Sequence, residues 1–475
     1  MSTQFSIPRV GILLFLGCIL AVALPAETVL RVWGLEVGEH AIGNEAAVRE
    51  FERRHLAATG EGVEVQLAVI PAGSVQGVMD PQKLLCAIAG GRPPDVVWQD
   101  RFTVGQWAWM GALRPLDDHL AEPGAPRAEE YYGPTWEETI SQGRVYAIPT
   151  ITDVRVLYYN EDLLRRGGHV DASGEVVLPA DWDALLEMGA ALSERDERGR
   201  LTRVGFIPNF GNSWYYLWSF LNGGEFLSPD GRTCTLAAPE NVEALAQMVR
   251  GYDLLGGYER VKGFQDELQS RVTDPFLVGQ VAMKIDNDVF IRDIARYRPD
   301  MAFGITLPPG PPGREGCTWS GGFAWVIPAG APQPDLAWEF IAWMSSLEGR
   351  LFAERAQARH NRSRGRPFFP MLHCHREAAR RIVEELSPAE PRLREASLAR
   401  LAIMERTRTR PVTPVGQLLW DQHNDAFYAA MTHDLTPSQA LRRSQAVVQA
   451  RLDLVWRPES ARPPVLAWRW PVGVL

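Results

Sequence analysis

Lysine is nearly missing from this chain of 475 residues: only Lys83, Lys262 and Lys284 occur, so arginine carries almost all of the positive charge. Acidic residues outnumber basic ones, 58 to 49, for a formal charge of -9. Binding a phosphate backbone needs clustered Lys and Arg, so nucleic acid is excluded as an expected partner. Cysteine is scarce as well. Apart from Cys18, only Cys86, Cys234, Cys317 and Cys374 occur, none in a CxxC pair, which removes zinc ribbons and redox motifs. A chain this long needs no staple for its core, so both free thiols and disulfides stay open. GxSxG, HExxH, P-loop and GxGxxG are all absent. No nucleophile, zinc or nucleotide signature therefore supports catalysis, and no cofactor is expected. His373 and His375 flank Cys374, but without further ligands at helix or ribbon spacing the trio reads as packed or solvated, not as a metal site. No repeat of 20 to 50 residues marks a solenoid.

Long apolar runs are absent except at the N-terminus. Arg9 precedes the apolar stretch Val10 to Ala26, and Ala21-Val22-Ala23 offers an A-x-A cleavage site. Gly17 and Pro25 interrupt the stretch, which is shorter than the roughly 20 residues that cross a bilayer. Residues 1–26 thus read as a signal peptide that exports the chain to the periplasm or cell surface. A lipid anchor at Cys18 is the lesser alternative, because the apolar run continues past it.

What is present is the composition of a folded soluble protein, 46% hydrophobic and 23% charged. The length exceeds one core of roughly 250 to 300 residues, so two lobes are expected. Strand and helix signals alternate. "TVLRVWG", "VEVQLAVIP" and "DVVWQ" read as strands, separated by a helix opened by Asn44 and a second over Asp80 to Gly91. This order predicts a parallel sheet with ligand beyond the carboxyl ends of its strands. Trp33 and the group Trp98 to Arg101 fall there. After Asn160 the pattern begins again, with Asp181 capping one helix and an aromatic helix in "NSWYYLWSFLNGG". Thr436, Pro437 and Gln439 announce the last helix. Trp468 and Trp470 in the Pro-rich tail, 457–475, are expected to pack on a lobe.

The run "AGGRPPDVVWQDRFTVGQWAWMGALRPLDDHL" resembles the signature of family 1 extracellular solute-binding proteins, the sugar-binding components of bacterial ABC importers. "GRVYAIPTITDVRVLYYNEDLL", "FLNGGEFLSPDG", "DPFLVGQVAMKID" and "GGFAWVIPAGAPQPDLAWEFIAWMSS" follow in the family's order, and the likeness spans roughly residues 28 to 456. It implies an α/β, two-lobed periplasmic-binding-protein fold (type II), its lobes joined by crossing hinge strands. The N-terminal lobe would take 28–149 plus 286–368 and the C-terminal lobe 150–285 plus 369–456. Crossings would lie near Ile148 to Thr152, Ile285 to Asp288 and Phe368 to Met371.

A sugar offers C–H faces to an aromatic ring and a rim of hydroxyls to forked polar groups. On that pattern Trp98 suits the face, while Asp100 and Arg101 suit the rim. "WQDRF" is one residue shorter than the similar segment of maltose-binding proteins. Trp33 and Glu36 would look into the same cleft, opposite Trp214 on the second lobe. The family resemblance adds Asp286 and Asn287 at a crossing, and Trp319 with Gly321, where glycine permits close approach. The expected function is capture of a carbohydrate between lobes that close on it, followed by delivery to membrane permease subunits by a monomer. Two rivals are a secreted glycosidase-like enzyme and a chemosensory or surface carbohydrate-binding module.

Overall fold

The computed structural model describes residues 28–68, 81–267 and 274–457. The expectations for residues 1–26, for Cys18, and for Trp468 and Trp470 fall outside them. In chain order the strands are β1 (Thr28–Trp33), β2 (Val63–Ala68), β3 (Val96–Asp100), β4 (Ile140–Ser141), β5 (Arg144–Val145), β6 (Ile148–Asn160), β7 (Glu194–Arg195), β8 (Leu201–Gly211), β9 (Val281–Asn287), β10 (Phe303–Thr306), β11 (Thr318–Val326), β12 (Leu372–His373) and β13 (Thr407–Arg408).

As the sequence predicts, β1 pairs in parallel with both β2 and β3. The intervening helices, Ile42–Thr59 and Pro81–Ala89, make the crossovers that a parallel pair requires. The first helix begins two residues before Asn44, whose side chain instead donates to the Glu36 carbonyl. Beyond β3 the order runs through β11 and β6 to β9 and β8. The 13-residue β6 holds the two halves together. Its residues 148–154 pair with β11, and its residues 155–160 pair with β9 and β10. A long β-branched and aromatic run suits a strand covered on both faces along its length.

Each half buries its own core. Leu30, Val32, Val96, Trp325 and Phe340 cluster on the β1–β3 side. Val156, Val204, Phe206, Trp218 and Met283 cluster on the β8–β9 side. The apolar alternation of each amphipathic element is satisfied within its own half, which is what makes the halves lobes.

One boundary moves. The resemblance implied that residues from 286 belong to the first lobe, but Ile291, Ile294 and Phe303 bury in the second lobe's core and β10 pairs with β6 at Leu157–Asn160. The chain recrosses on β11, whose Phe323–Val326 pairs with β3 while Thr318 and Trp319 pair with β13. The physical reason is that β9 ends beside β6 in the second lobe and never reaches β3. A third crossing lies at β12, which pairs with Ile151 and Thr152 of β6.

Caps follow the sequence closely. Asp181 accepts from Ala184 N at 2.8 Å, and Thr436 and Gln439 form a capping box. The His-Cys-His trio is packed: His373 bonds Glu354, Cys374 is fully buried, and His375 caps the helix Arg376–Leu386. Cys86, Cys234, Cys317 and Cys374 are all free.

Candidate site between the lobes

Where β6 and β11 cross together, Gly321 lies opposite Asp153. Successive side chains on a strand point to opposite faces, so Asp153 and Arg155 share one face of β6, and Trp319 and Gly321 share one face of β11. These two rows lie side by side. The Arg155 guanidinium sits 3.8 Å above the Trp319 ring, and a Cβ added at Gly321 would meet both Asp153 and Arg155 at 2.9 Å. A guanidinium, the carboxylate it donates to and an indole meet here, and they need a residue with no side chain between them.

Arg155 anchors the constellation. Nη1 donates to Asp153, while Nε and Nη2 both donate to Asn212 Oδ1, just past the end of β8. Burial pushes its pKa down, opposed chiefly by the Asp153 charge. From the first lobe Asp100 arrives at the end of β3, accepting from Phe102 N and from Arg410 Nη2 at 2.7 Å. From the second lobe Asp286 accepts from Lys284 Nζ at 2.8 Å. Half-buried aromatics Trp214 and Trp420 stand edge to face, their centroids 5.3 Å apart.

This set can accept hydrogen bonds from hydroxyl donors. Asp100, Asp153 and Asp286 each face a cation, and their side chains keep 18%, 19% and 13% of their surface open. A carboxylate held beside a cation is a fixed acceptor for hydroxyls. Among the described residues, no group of three or more His, Cys, Asp or Glu could hold a metal.

Several residues singled out from the sequence do other work. Trp98 is corrected from a ligand platform to a core residue: Phe323 stacks on it at 4.1 Å, and its N–H donates to Thr150 Oγ1. Arg101 is corrected likewise. It is fully buried, and its guanidinium donates to Glu138, the Ile151 carbonyl, Ser320 and the Gly321 carbonyl, so it ties β3 to both crossing strands. Trp319 is 2% exposed, with one ring face beneath Arg155, so it supports that cation rather than offering a free platform. Glu36 is exposed beyond β1 and touches the helix Ile42–Thr59 through its carbonyl. Trp33 is half-buried at the end of β1 against the cluster of Leu84, Val97 and Trp107. Trp214, Asp286 and Asn287 are half-buried at the cleft side of the second lobe.

Sequence reasoning missed Asp153, Arg155, Asn212, Arg410 and Trp420. For the first two a signal existed, since two charges two residues apart interrupt an otherwise apolar strand. Arg410 gave none, because its neighbours in the sequence say nothing of β3. A separate cavity of about 590 Å³, lined by Glu129, Glu130, Tyr131, Ser345, His375 and Arg376 among others, shares no residue with this site.

Comparison with known proteins places the whole. The chain is 24% identical over 271 residues to a Brucella abortus protein whose name says only that it binds, covering 56% of this chain and 61% of that one. It is 25% identical over 293 residues to a maltooligosaccharide ABC transporter solute-binding lipoprotein of Streptococcus pneumoniae, covering 60% and 63%. The matches thus span about three-fifths of the curated relatives. The fold is that of CpMnBP1, solved with mannobiose bound, at TM-score 0.70, 24% identity, 89% of this chain and 99% of that one. Residues 42–350 match the profile of the bacterial extracellular solute-binding proteins, and the chain belongs to that family.

Proposed function

We propose that the protein is the extracytoplasmic binding component of an ABC importer, capturing a neutral oligosaccharide between its lobes and passing it to membrane permease subunits. The reading rests on one observation: Asp100, Asp153, Asp286 and Asn212 converge from both lobes onto the crossing strands, each carboxylate beside a cation, with Trp214 and Trp420 at their flank. Each of the three carboxylates lies beside a cation, and Lys284 is shared between Asp286 and Asp274, so none of these cations is left open to an anionic ligand and the site suits one that brings hydroxyls. The relatives' names, maltooligosaccharide and mannobiose, support the same class. Contacts from both lobes make closure the binding step, since the ligand meets its full partner set only in the closed form.

Export fits this role, and among the described residues no helix is long and apolar enough to cross a membrane. Trp33, Glu36, Asp100, Trp214, Asp286 and Asn287 are the sequence-derived contacts we retain, joined by Asp153, Arg155, Asn212 and Trp420. A thermal-shift screen against neutral and acidic oligosaccharides tests the reading, because ligand at 100 times Kd adds about 2.7 kcal/mol of stability. Stabilisation by a neutral sugar that is recovered intact supports it. Shorter products would make the protein an enzyme, and silence across the panel would remove carbohydrate.

A further inference from the structure

We propose that Arg410 is a latch that holds the two lobes together and completes its bonding as they close. The segment carrying it belongs to the second lobe: β13 pairs with Thr318 and Trp319, and Arg408 bonds Glu225. The helix that follows, Gly416–Met431, buries Leu419, Ala426 and Phe427 in the second lobe's core. Yet Arg410 reaches across to the first lobe, donating to Asp100 at 2.7 Å and lying 4.4 Å from the Phe102 ring. Its neighbours make the same crossing. Gln417 N donates to Gln106 Oε1 at 3.1 Å, and Trp420 meets Phe102 edge to face.

One detail points to a latch that has further to travel. Arg410 Nε and Glu138 Oε1 stand 3.7 Å apart, both buried, neither with a hydrogen-bond partner. A donor and an acceptor just outside bonding range are joined by an approach of about 1 Å, and buried polar atoms are rarely left unmatched. Glycine also marks the seam. A Cβ at Gly105 would stand 2.5 Å from Val412 Cγ1 and 3.3 Å from Thr413 N, so the first lobe approaches the Arg410 segment more closely than any side chain at 105 allows.

The inference deepens the binding reading and depends on it only for its second arm. The first arm is small-angle X-ray scattering of the ligand-free protein, wild type, Arg410→Gln and Gly105→Val, each shown to be folded by circular dichroism. Wild type is expected near the ~23 Å radius of gyration of a compact chain of this length. Both variants are expected to be larger, one by losing the latch and the other by wedging the seam. The second arm titrates the same proteins with maltotriose, and both variants are expected to bind about tenfold more weakly. Equal radii in all three proteins would overturn the latch. So would weakened binding in Arg410→Gln alone, which would make Arg410 a ligand contact. Should maltotriose bind none of them, the scattering still decides the latch and only the choice of sugar fails.

Discussion

Replacing Arg101 with leucine tests whether this residue is a strut or a ligand contact. The side chain is fully buried, and its donors satisfy Glu138 Oε2 at 2.9 Å, the Ile151 carbonyl at 3.0 Å and the Gly321 carbonyl at 2.7 Å. Leucine matches some of the volume and none of the donors. Breaking a buried ion pair by removing one partner typically costs ~3–5 kcal/mol, because the remaining charge is left uncompensated. Burial already pushes the Glu138 pKa up, and Arg101 is the largest opposing influence. With Arg101 gone the folded pKa rises further above its unfolded value. A carboxyl shifted in that direction stabilises below the unfolded pKa and loses that contribution as pH rises through the folded one. Arg101→Leu should therefore be most damaged at neutral and alkaline pH and should recover on acidification.

The assay is urea denaturation across pH 5 to 8, with the double variant Arg101→Leu, Glu138→Leu alongside. Removing both partners leaves no uncompensated carboxylate, since the buried Arg410 keeps its bond to Asp100, so the double variant should lie closer to wild type than the single does. A loss under about 1 kcal/mol in the single variant, or a double variant worse than the single by the full cost of Glu138, would refute the strut.

Three further outcomes follow from the same contacts. Trp98→Ala should cost ~3–5 kcal/mol of first-lobe stability, as a core aromatic stacked on Phe323; urea melts that match wild type would return Trp98 to the ligand. His423 lies between Tyr216 and Trp420 with neither ring nitrogen bonded, and burial pushes its pKa down to about 3. The unfolded chain takes up that proton below about pH 6.5 while the native state refuses it, so stability falls by about 1.4 kcal/mol for each unit the pH drops over that window. His423→Phe should flatten that acid-side slope in pH-dependent melts. Trp214→Ala should weaken binding of a neutral oligosaccharide by about tenfold, the worth of one aromatic contact, with little change in melting temperature.

What the sequence revealed and what it hid have separable causes. Local signals spoke for themselves: the strand and helix alternation from β1 to β3, the Asp181 cap and the Thr436 capping box all depend on residues within a few positions of one another. The cleft depends on partners far apart in the chain. Trp98 and Arg101 carry the residue types a sugar site uses, but Phe323 and Gly321, more than 200 positions later, claim the ring and the guanidinium. Nothing near residue 101 announces them. The same distance hid Arg410, which finds Asp100 across 310 positions. The misplaced boundary at 286 has this origin too, since the pairing of β10 with β6 and the burial of Ile291, Ile294 and Phe303 against the second lobe's core keep that stretch there.

Hydrogen–deuterium exchange of the full protein, with and without a neutral oligosaccharide that stabilises it, tests the inter-lobe site most directly. Slowed exchange is expected at 153–155, 210–214, 286–287 and 319–321, together with 100–106 and 410–420 as the lobes draw together. Protection confined to the cavity lined by residues 129–131 and 345–347, with the crossing strands unchanged, would contradict it.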